Sequence, residues 1–238
     1  MPLAFGTAAI GLIRNLGIAL PDTPPTGVPE IPIDGEKKTS VVVYGAGSTV
    51  GVFVVQLAKM LDLFVIGVAG DSAAAAKAFG CDVVLNYRSP SHESELTQAV
   101  KDHDAKYAFD AVSEHGTFQR VAYAMHQNGG GHITVLLPVS DEEKEYISSD
   151  VTLTRTFVGD AHNPKAEGGQ GFAAKYFKLA GEWLDAGLLK PQKVTIVPGG
   201  LSGVEEGLRR LQEGEVSGEK LVYRISETPG LGDGVAEA

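Results

Sequence analysis

The segment Val41-Val-Val-Tyr-Gly45-Ala-Gly47-Ser-Thr-Val-Gly51 constrains this chain more than any other. A β-branched run ends in glycines and opens at once into Val50–Leu61, where apolar residues recur at helical spacing. A strand that turns on glycine into a helix presents backbone N–H groups at the positive end of the helix dipole. Gly45 permits the tight turn, Gly47 lets a pyrophosphate approach without a side chain in the way, and Gly51 lets the helix pack close to the strands. Ser48 and Thr49 can add hydroxyl donors, and Val50 heads the helix. No Gly-Lys-Ser/Thr follows, so the loop is not a P-loop. The alternative is a glycine turn that only joins strand to helix.

The surroundings favour the nucleotide reading. Ser40–Tyr44, Phe64–Ala69, Val83–Tyr87, Tyr107–Val112 and Ile133–Leu137 are short apolar runs, with helical stretches at Ala73–Phe79, Ser94–Asp102 and Phe118–His126 between them. Continuous apolar strands alternating with helices predict a parallel sheet covered on both faces. Val151–Val158 alternates Val151, Leu153 and Phe157 with three threonines, which suits an edge strand with one drier face. The expectation is an α/β fold, a doubly wound parallel six-stranded sheet of Rossmann-like kind over residues 39–160. Residues 1–38 read as an amphipathic helix, Leu3–Ile13, and a proline-rich linker from Pro21 to Lys38. A helix-strand extension fills 161–238. It has an amphipathic helix over Phe172–Leu188, a strand at Val194–Val197 and a helix capped by Ser202 with Glu205, then a strand at Leu221–Ile225 and a loose tail from Ser226.

Charge and composition narrow the partners. Thirty acidic against twenty basic residues give a net charge of −10, which disfavours nucleic acid and membrane surfaces and leaves a small-molecule substrate as the expected partner. Leu3–Ile13 has no basic residue before it and is shorter than the ~20 apolar residues a bilayer requires. One cysteine builds neither a disulfide nor a thiolate zinc site, so a reducing cytoplasmic setting is expected. The six histidines show no paired metal spacing, and no metal site is expected. No tyrosine has a lysine four residues on, which argues against short-chain reductases, and there is no Gly-x-Ser-x-Gly elbow for a hydrolase. No catalytic residue is assigned; His115, after the fourth strand, is read as an ordinary surface histidine.

Cofactor choice depends on the tip of the second strand. An NAD site places an acidic residue there, whereas this strand ends at Ala69-Gly70, leaving room for a 2′-phosphate, with Asp71 just beyond. Ser72 could donate to that phosphate, and Tyr87-Arg88 could cover adenine or supply positive charge. NADP(H) is favoured over NAD(H).

Several stretches in order then carry a likeness: Pro2-Leu-Ala-Phe-Gly-Thr-Ala-Ala-Ile-Gly-Leu12, the glycine loop with Gln56-Leu-Ala-Lys59, Ala78-Phe-Gly-Cys-Asp-Val-Val-Leu-Asn-Tyr-Arg88, Gly129-Gly-Gly-His-Ile-Thr-Val-Leu-Leu-Pro138 and Gly214-Glu-Val-Ser-Gly-Glu-Lys-Leu-Val222. The sequence resembles the cofactor half of the medium-chain dehydrogenase/reductase superfamily, in its quinone-oxidoreductase-like and fungal trans-acting enoyl reductase branch. That resemblance implies that Gly47, Ser48, Thr49 and Val50 meet the pyrophosphate and that Ser72 and Tyr87 lie by the adenosine. It also implies that Leu136 and Leu137 lie near the nicotinamide, that Ser217 and Gly218 approach the cofactor, and that Phe5 to Thr7 and Val158 to Asp160 line a substrate cleft. Relatives carry a preceding GroES-like barrel domain that this sequence lacks, and Ala74 stands about where quinone-reductase relatives place a phosphate-binding lysine. The implied function is an NADP(H)-dependent oxidoreductase that transfers hydride to an enone, enoyl or quinone substrate without zinc, with slow or absent turnover in this chain alone. The alternative is a truncated, non-catalytic NADP(H)-binding module; a methyltransferase is a weaker third. Self-association is expected, from apolar faces that relatives bury against the barrel and from the threonine-rich edge strand.

Overall fold

A computed structural model describes residues 2–18, 38–163 and 169–231. The proline-rich linker, apart from Lys38, and the tail beyond Leu231 lie outside the described residues. The chain divides into two compact units, residues 1–190 and 191–238.

The first unit is built on six parallel strands: β1 (Ser40–Tyr44), β2 (Phe64–Ala69), β3 (Val83–Asn86), β4 (Tyr107–Asp110), β5 (Gly131–Val135) and β6 (Val151–Arg155). Their order, β3-β2-β1-β4-β5-β6, is that of the dinucleotide-binding doubly wound fold. The chain reverses direction across the sheet between β1 and β4, and such a fold binds ligands outside the strand ends at that switch point.

Alternation along each strand feeds two cores. Val41, Val43, Val65 and Phe109 face a cluster built with α1 (Pro2–Ala9), α2 (Gly51–Met60), α3 (Ala73–Phe79) and α7 (Gly169–Asp185). Val42, Tyr44, Ile66, Val68, Ala108 and Ile133 face α4 (His92–Asp102) and α5 (Thr117–His126). With both faces dry, the strands read as unbroken apolar runs.

Several expectations need correcting. The first helix is not amphipathic: Ala4 to Leu12 are all buried, and α1 continues as a π-helix over Ile10–Asn15. The apolar face of α7 is not bare, because Tyr176, Ala180 and Trp183 are buried in the first core. β6 stops at Arg155, and its alternation then inverts. Thr156 is 2% exposed and Phe157 is 51% exposed, because the Thr156 hydroxyl meets that of Thr134 at 2.7 Å and accepts from Asn15 Nδ2 at 2.9 Å. A short α6 (Asp141–Lys144), not foreseen, carries the capping box: Ser140 Oγ accepts from Glu143 N–H, and the Glu143 carboxylate accepts from Ser140 N–H at 2.9 Å.

The second unit pairs β7 (Lys193–Val197) with β8 (Glu219–Tyr223) in parallel around α8 (Val204–Gln212). Ser202 does not cap α8. The chain enters through a 3₁₀ turn over Gly200–Gly203, with Gly203, which has no side chain to cap with, at the cap in a helical conformation.

Candidate functional site

At the end of β1 the chain turns on Gly45, whose φ is 76° and whose missing side chain would stand 2.7 Å from Val112 Cγ2. Gly45 and Ala46 both give their N–H groups to the Val68 carbonyl at 3.0 Å, which seats the turn on β2. Gly51 is needed as expected: a β-carbon there would stand 2.9 Å from the Gly45 carbonyl carbon and closer still to its oxygen. Ser48 Oγ accepts from Gly51 N–H at 3.0 Å, so its own hydrogen stays available to a ligand. The N–H groups of Gly47, Thr49 and Val50 reach no acceptor among the described residues. They stand at the head of α2, where the dipole favours an anion.

The structure gives Gly47 a packing reason beside the expected one. Its bare face is covered by Ser72, whose carbonyl oxygen would lie 3.0 Å from a Gly47 β-carbon and whose side chain would be nearer. Glycine here allows the loop and the tip of β2 to close on each other. Gly70 plays the same part toward Tyr87: a β-carbon there would be 2.7 Å from Tyr87 Cε1. Tyr87 is 45% exposed and lies beside the Arg88 guanidinium, 5.2 Å from the ring centroid. Arg88 in turn pairs with Asp71 and holds its carboxyl below the usual range. The structure thus gathers Gly45 to Gly51, Ser72 and Tyr87 along one rim, at the ends of β1, β2 and β3.

On the other side of the switch point, Leu136 and Leu137 follow β5. Leu136 is half-buried and Leu137 is 39% exposed. Sequence reasoning missed what supports them. Asp110, fully buried at the end of β4, accepts N–H from Val112 and Ser113 at 2.9 Å and the Thr117 hydroxyl at 2.5 Å. Burial pushes its carboxyl up, and those three donors pull it part of the way back. An aspartate ending an apolar strand with hydroxyls three and seven residues on was the available signal.

Ser217 and Gly218 belong to the second unit, directly ahead of β8, with Gly218 at φ 67°. The residues expected to line a substrate cleft are largely committed elsewhere. Phe5 is fully buried among Phe53, Phe177 and Trp183, at centroid distances of 6.1, 6.4 and 6.4 Å. The Thr7 hydroxyl donates to Leu3 O at 2.8 Å, and Asp160 accepts from Arg14 at 2.7 Å. His115 is exposed at φ 55°, its carbonyl taken by Arg120.

The rim fits a dinucleotide, because three N–H groups with no acceptor among the described residues and a serine hydroxyl stand at one helix N-terminus. Among the described residues no three His, Cys, Asp or Glu side chains gather, and burial pushes the Cys81 thiol up to about 12.

Comparison with known proteins accords with this geometry. Residues 49–163 match the family described as zinc-binding dehydrogenase. The trans-enoyl reductase ACTTS2 of Alternaria alternata is 32% identical over 229 residues, covering 94% of this chain and 63% of that protein. A zinc-type alcohol dehydrogenase-like protein of Schizosaccharomyces pombe is 31% identical, covering 94% of this chain and 65% of that one. The crystal structure of CurA in complex with NADPH from Vibrio vulnificus superposes with a TM-score of 0.63 at 19% identity, over 92% of this chain and 61% of that one. The chain therefore spans a little under two thirds of the length of these curated relatives. At nearly equal identity the two carry different activities in their names, so the likeness fixes a family and not a substrate. The chain belongs to the medium-chain dehydrogenase/reductase superfamily, and its six-stranded unit is that superfamily's nucleotide-binding fold.

Proposed function

We propose that this chain binds a nicotinamide dinucleotide at the β1–α2 corner, NADP(H) in preference to NAD(H), and serves the reduction of an enone, enoyl or quinone substrate without zinc. The observation that carries the reading is the trio of N–H groups on Gly47, Thr49 and Val50, without acceptors among the described residues, at the switch point between β1 and β4. These groups would hold the pyrophosphate, with the Ser48 hydroxyl as a further donor. Ser72 and Tyr87 would receive the adenosine half over β2 and β3, and Arg88 offers the positive charge a 2′-phosphate seeks. The nicotinamide half then falls over β4 and β5, against Leu136 and Leu137. When bound, the reduced cofactor supplies hydride to the β-carbon of the unsaturated carbonyl, while a proton reaches the neighbouring carbon. The protein's part is position: Leu136 and Leu137 shield one side of the ring from water, and the corner fixes the diphosphate.

The test is an equilibrium titration with NADPH and NADH beside an absorbance assay with a panel of enones and quinones. Saturable loss of reduced nicotinamide absorbance supports the enzyme. Binding without oxidation marks the chain as a nucleotide-binding module, and no binding of either cofactor refutes both.

A further inference from the structure

One side chain joins the turns after β4 and β5. Ser113 is 8% exposed and sits at φ 60°, a left-handed conformation that ordinary residues avoid unless the surroundings impose it. Its hydroxyl donates to the Asp110 carbonyl at 2.9 Å and accepts the Leu136 N–H at 2.8 Å. Asp110 Oδ1 holds the Ser113 N–H, and Asp110 Oδ2 holds the Thr117 hydroxyl at the start of α5. Ser113 is thus fixed from its own turn and fixes the next one. The Leu136 carbonyl is also engaged, accepting from Arg155 Nε at 3.4 Å. Both hydrogen-bonding groups of Leu136 are therefore tied to the fold.

This tie lies on one half of the site only. On the dinucleotide reading, the glycine corner and the β2 and β3 tips would serve the adenosine half, and β4 and β5 would carry the other mononucleotide. Among the described residues the hydroxyl and N–H of Ser113 make no hydrogen bond to Ser72, Tyr87 or the N–H groups at the head of α2.

We propose that Ser113 is a positioning residue for the nicotinamide half of the bound cofactor: by gripping the Leu136 N–H, it preforms the Leu136–Leu137 wall against which the nicotinamide ring rests. The proposal rests on the dinucleotide reading given above. Without the hydroxyl the wall moves, and the cofactor must order it on binding, which weakens affinity at that end alone.

The experiment compares S113A and S113G with the unaltered chain. S113A removes the hydroxyl and keeps the strained backbone, whereas S113G removes the hydroxyl and relieves the strain. Each is titrated with the tighter-binding of NADPH and NADH, and with the matching adenine half, adenosine 2′,5′-bisphosphate or ADP. Both variants are expected to bind the full cofactor about three- to tenfold more weakly, the worth of one hydrogen bond, and the adenine half unchanged. Full-cofactor affinity equal to that of the unaltered chain in S113G overturns the proposal, as does a parallel loss for the adenine half, which marks a general structural role. Failure of the unaltered chain to bind any of these ligands instead overturns the dinucleotide reading, and the proposal with it.

Discussion

Gly51 stands against the backbone of Gly45 with no room for a methyl group between them: a β-carbon would lie 2.9 Å from the Gly45 carbonyl carbon. Neither partner can step aside, since the carbonyl belongs to the turn and the glycine to the first turn of α2. Gly51→Ala is expected to destabilise the chain by about 1–3 kcal/mol, the usual range for an overpacked site. Nucleotide binding should weaken along with it. Urea denaturation and an NADPH titration check both, and an unchanged midpoint would refute the close-packing argument.

The Asp71–Arg88 pair should set the balance between cofactors. Both side chains are more than half exposed, so the pair contributes little to stability. Its expected effect is on charge beside the proposed adenosine site. Arg88→Ala is expected to weaken NADPH severalfold and leave NADH nearly unchanged, while Asp71→Asn shifts the ratio toward NADPH. Equal responses of the two cofactors in a titration would count against this role.

His92 predicts how stability responds to mild acid. It is 4% exposed, its Nε2 lies 3.3 Å from the Tyr44 hydroxyl, and Nδ1 has no partner among the described residues. Burial first, then Arg120, holds its pKa below the ordinary value against the opposing pull of Glu95 and Glu93. Above about pH 6.5 both folded and unfolded forms are neutral there. As pH falls below that value the unfolded chain takes the proton first, so stability declines until the native pKa is reached. His132, also lowered by burial, adds a decline of the same sign. His92→Gln should shallow the slope; an identical slope in chemical denaturation at several pH values would remove His92 as the cause.

Phe5 is a core residue rather than a wall of a substrate cleft. Phe5→Ala is expected to cost about 3–5 kcal/mol, as for other large aromatic truncations in a core. A thermal midpoint within experimental error of the parent would return Phe5 to the cleft.

β6 closes one side of the sheet and leaves its outer edge without a strand partner among the described residues. Open edges invite pairing. Sedimentation is expected to show mass rising with concentration toward a dimer, and a single monomeric species throughout would contradict self-association through this edge.

The layout of the fold was legible because parallel strands buried on both faces announce themselves as apolar runs, and the glycine turn fixed which strand comes first. What stayed hidden depends on contacts between distant residues. Phe157 was read as inward because the alternation from Val151 pointed that way. Asn15 and Thr134, far away in sequence, recruit Thr156 to the interior instead. Ser202 and Glu205 had the spacing of a capping box, but the box formed at Ser140 and Glu143. There the cap residue is extended, with ψ at 158°, whereas the chain reaches α8 already coiled. The residues proposed to face phosphate were visible in a single local motif. Ser113 was not, since its partner Leu136 lies 23 positions on.

Ser72 nesting on the bare face of Gly47 has an implication for how such a protein could change over generations. The residue proposed to meet the adenosine and the one proposed to lie beneath the diphosphate share one small volume, so neither can be enlarged by itself. Any lineage drifting from one nicotinamide coenzyme to the other would have to alter the two together, or keep position 72 small while recruiting new charge from beyond it.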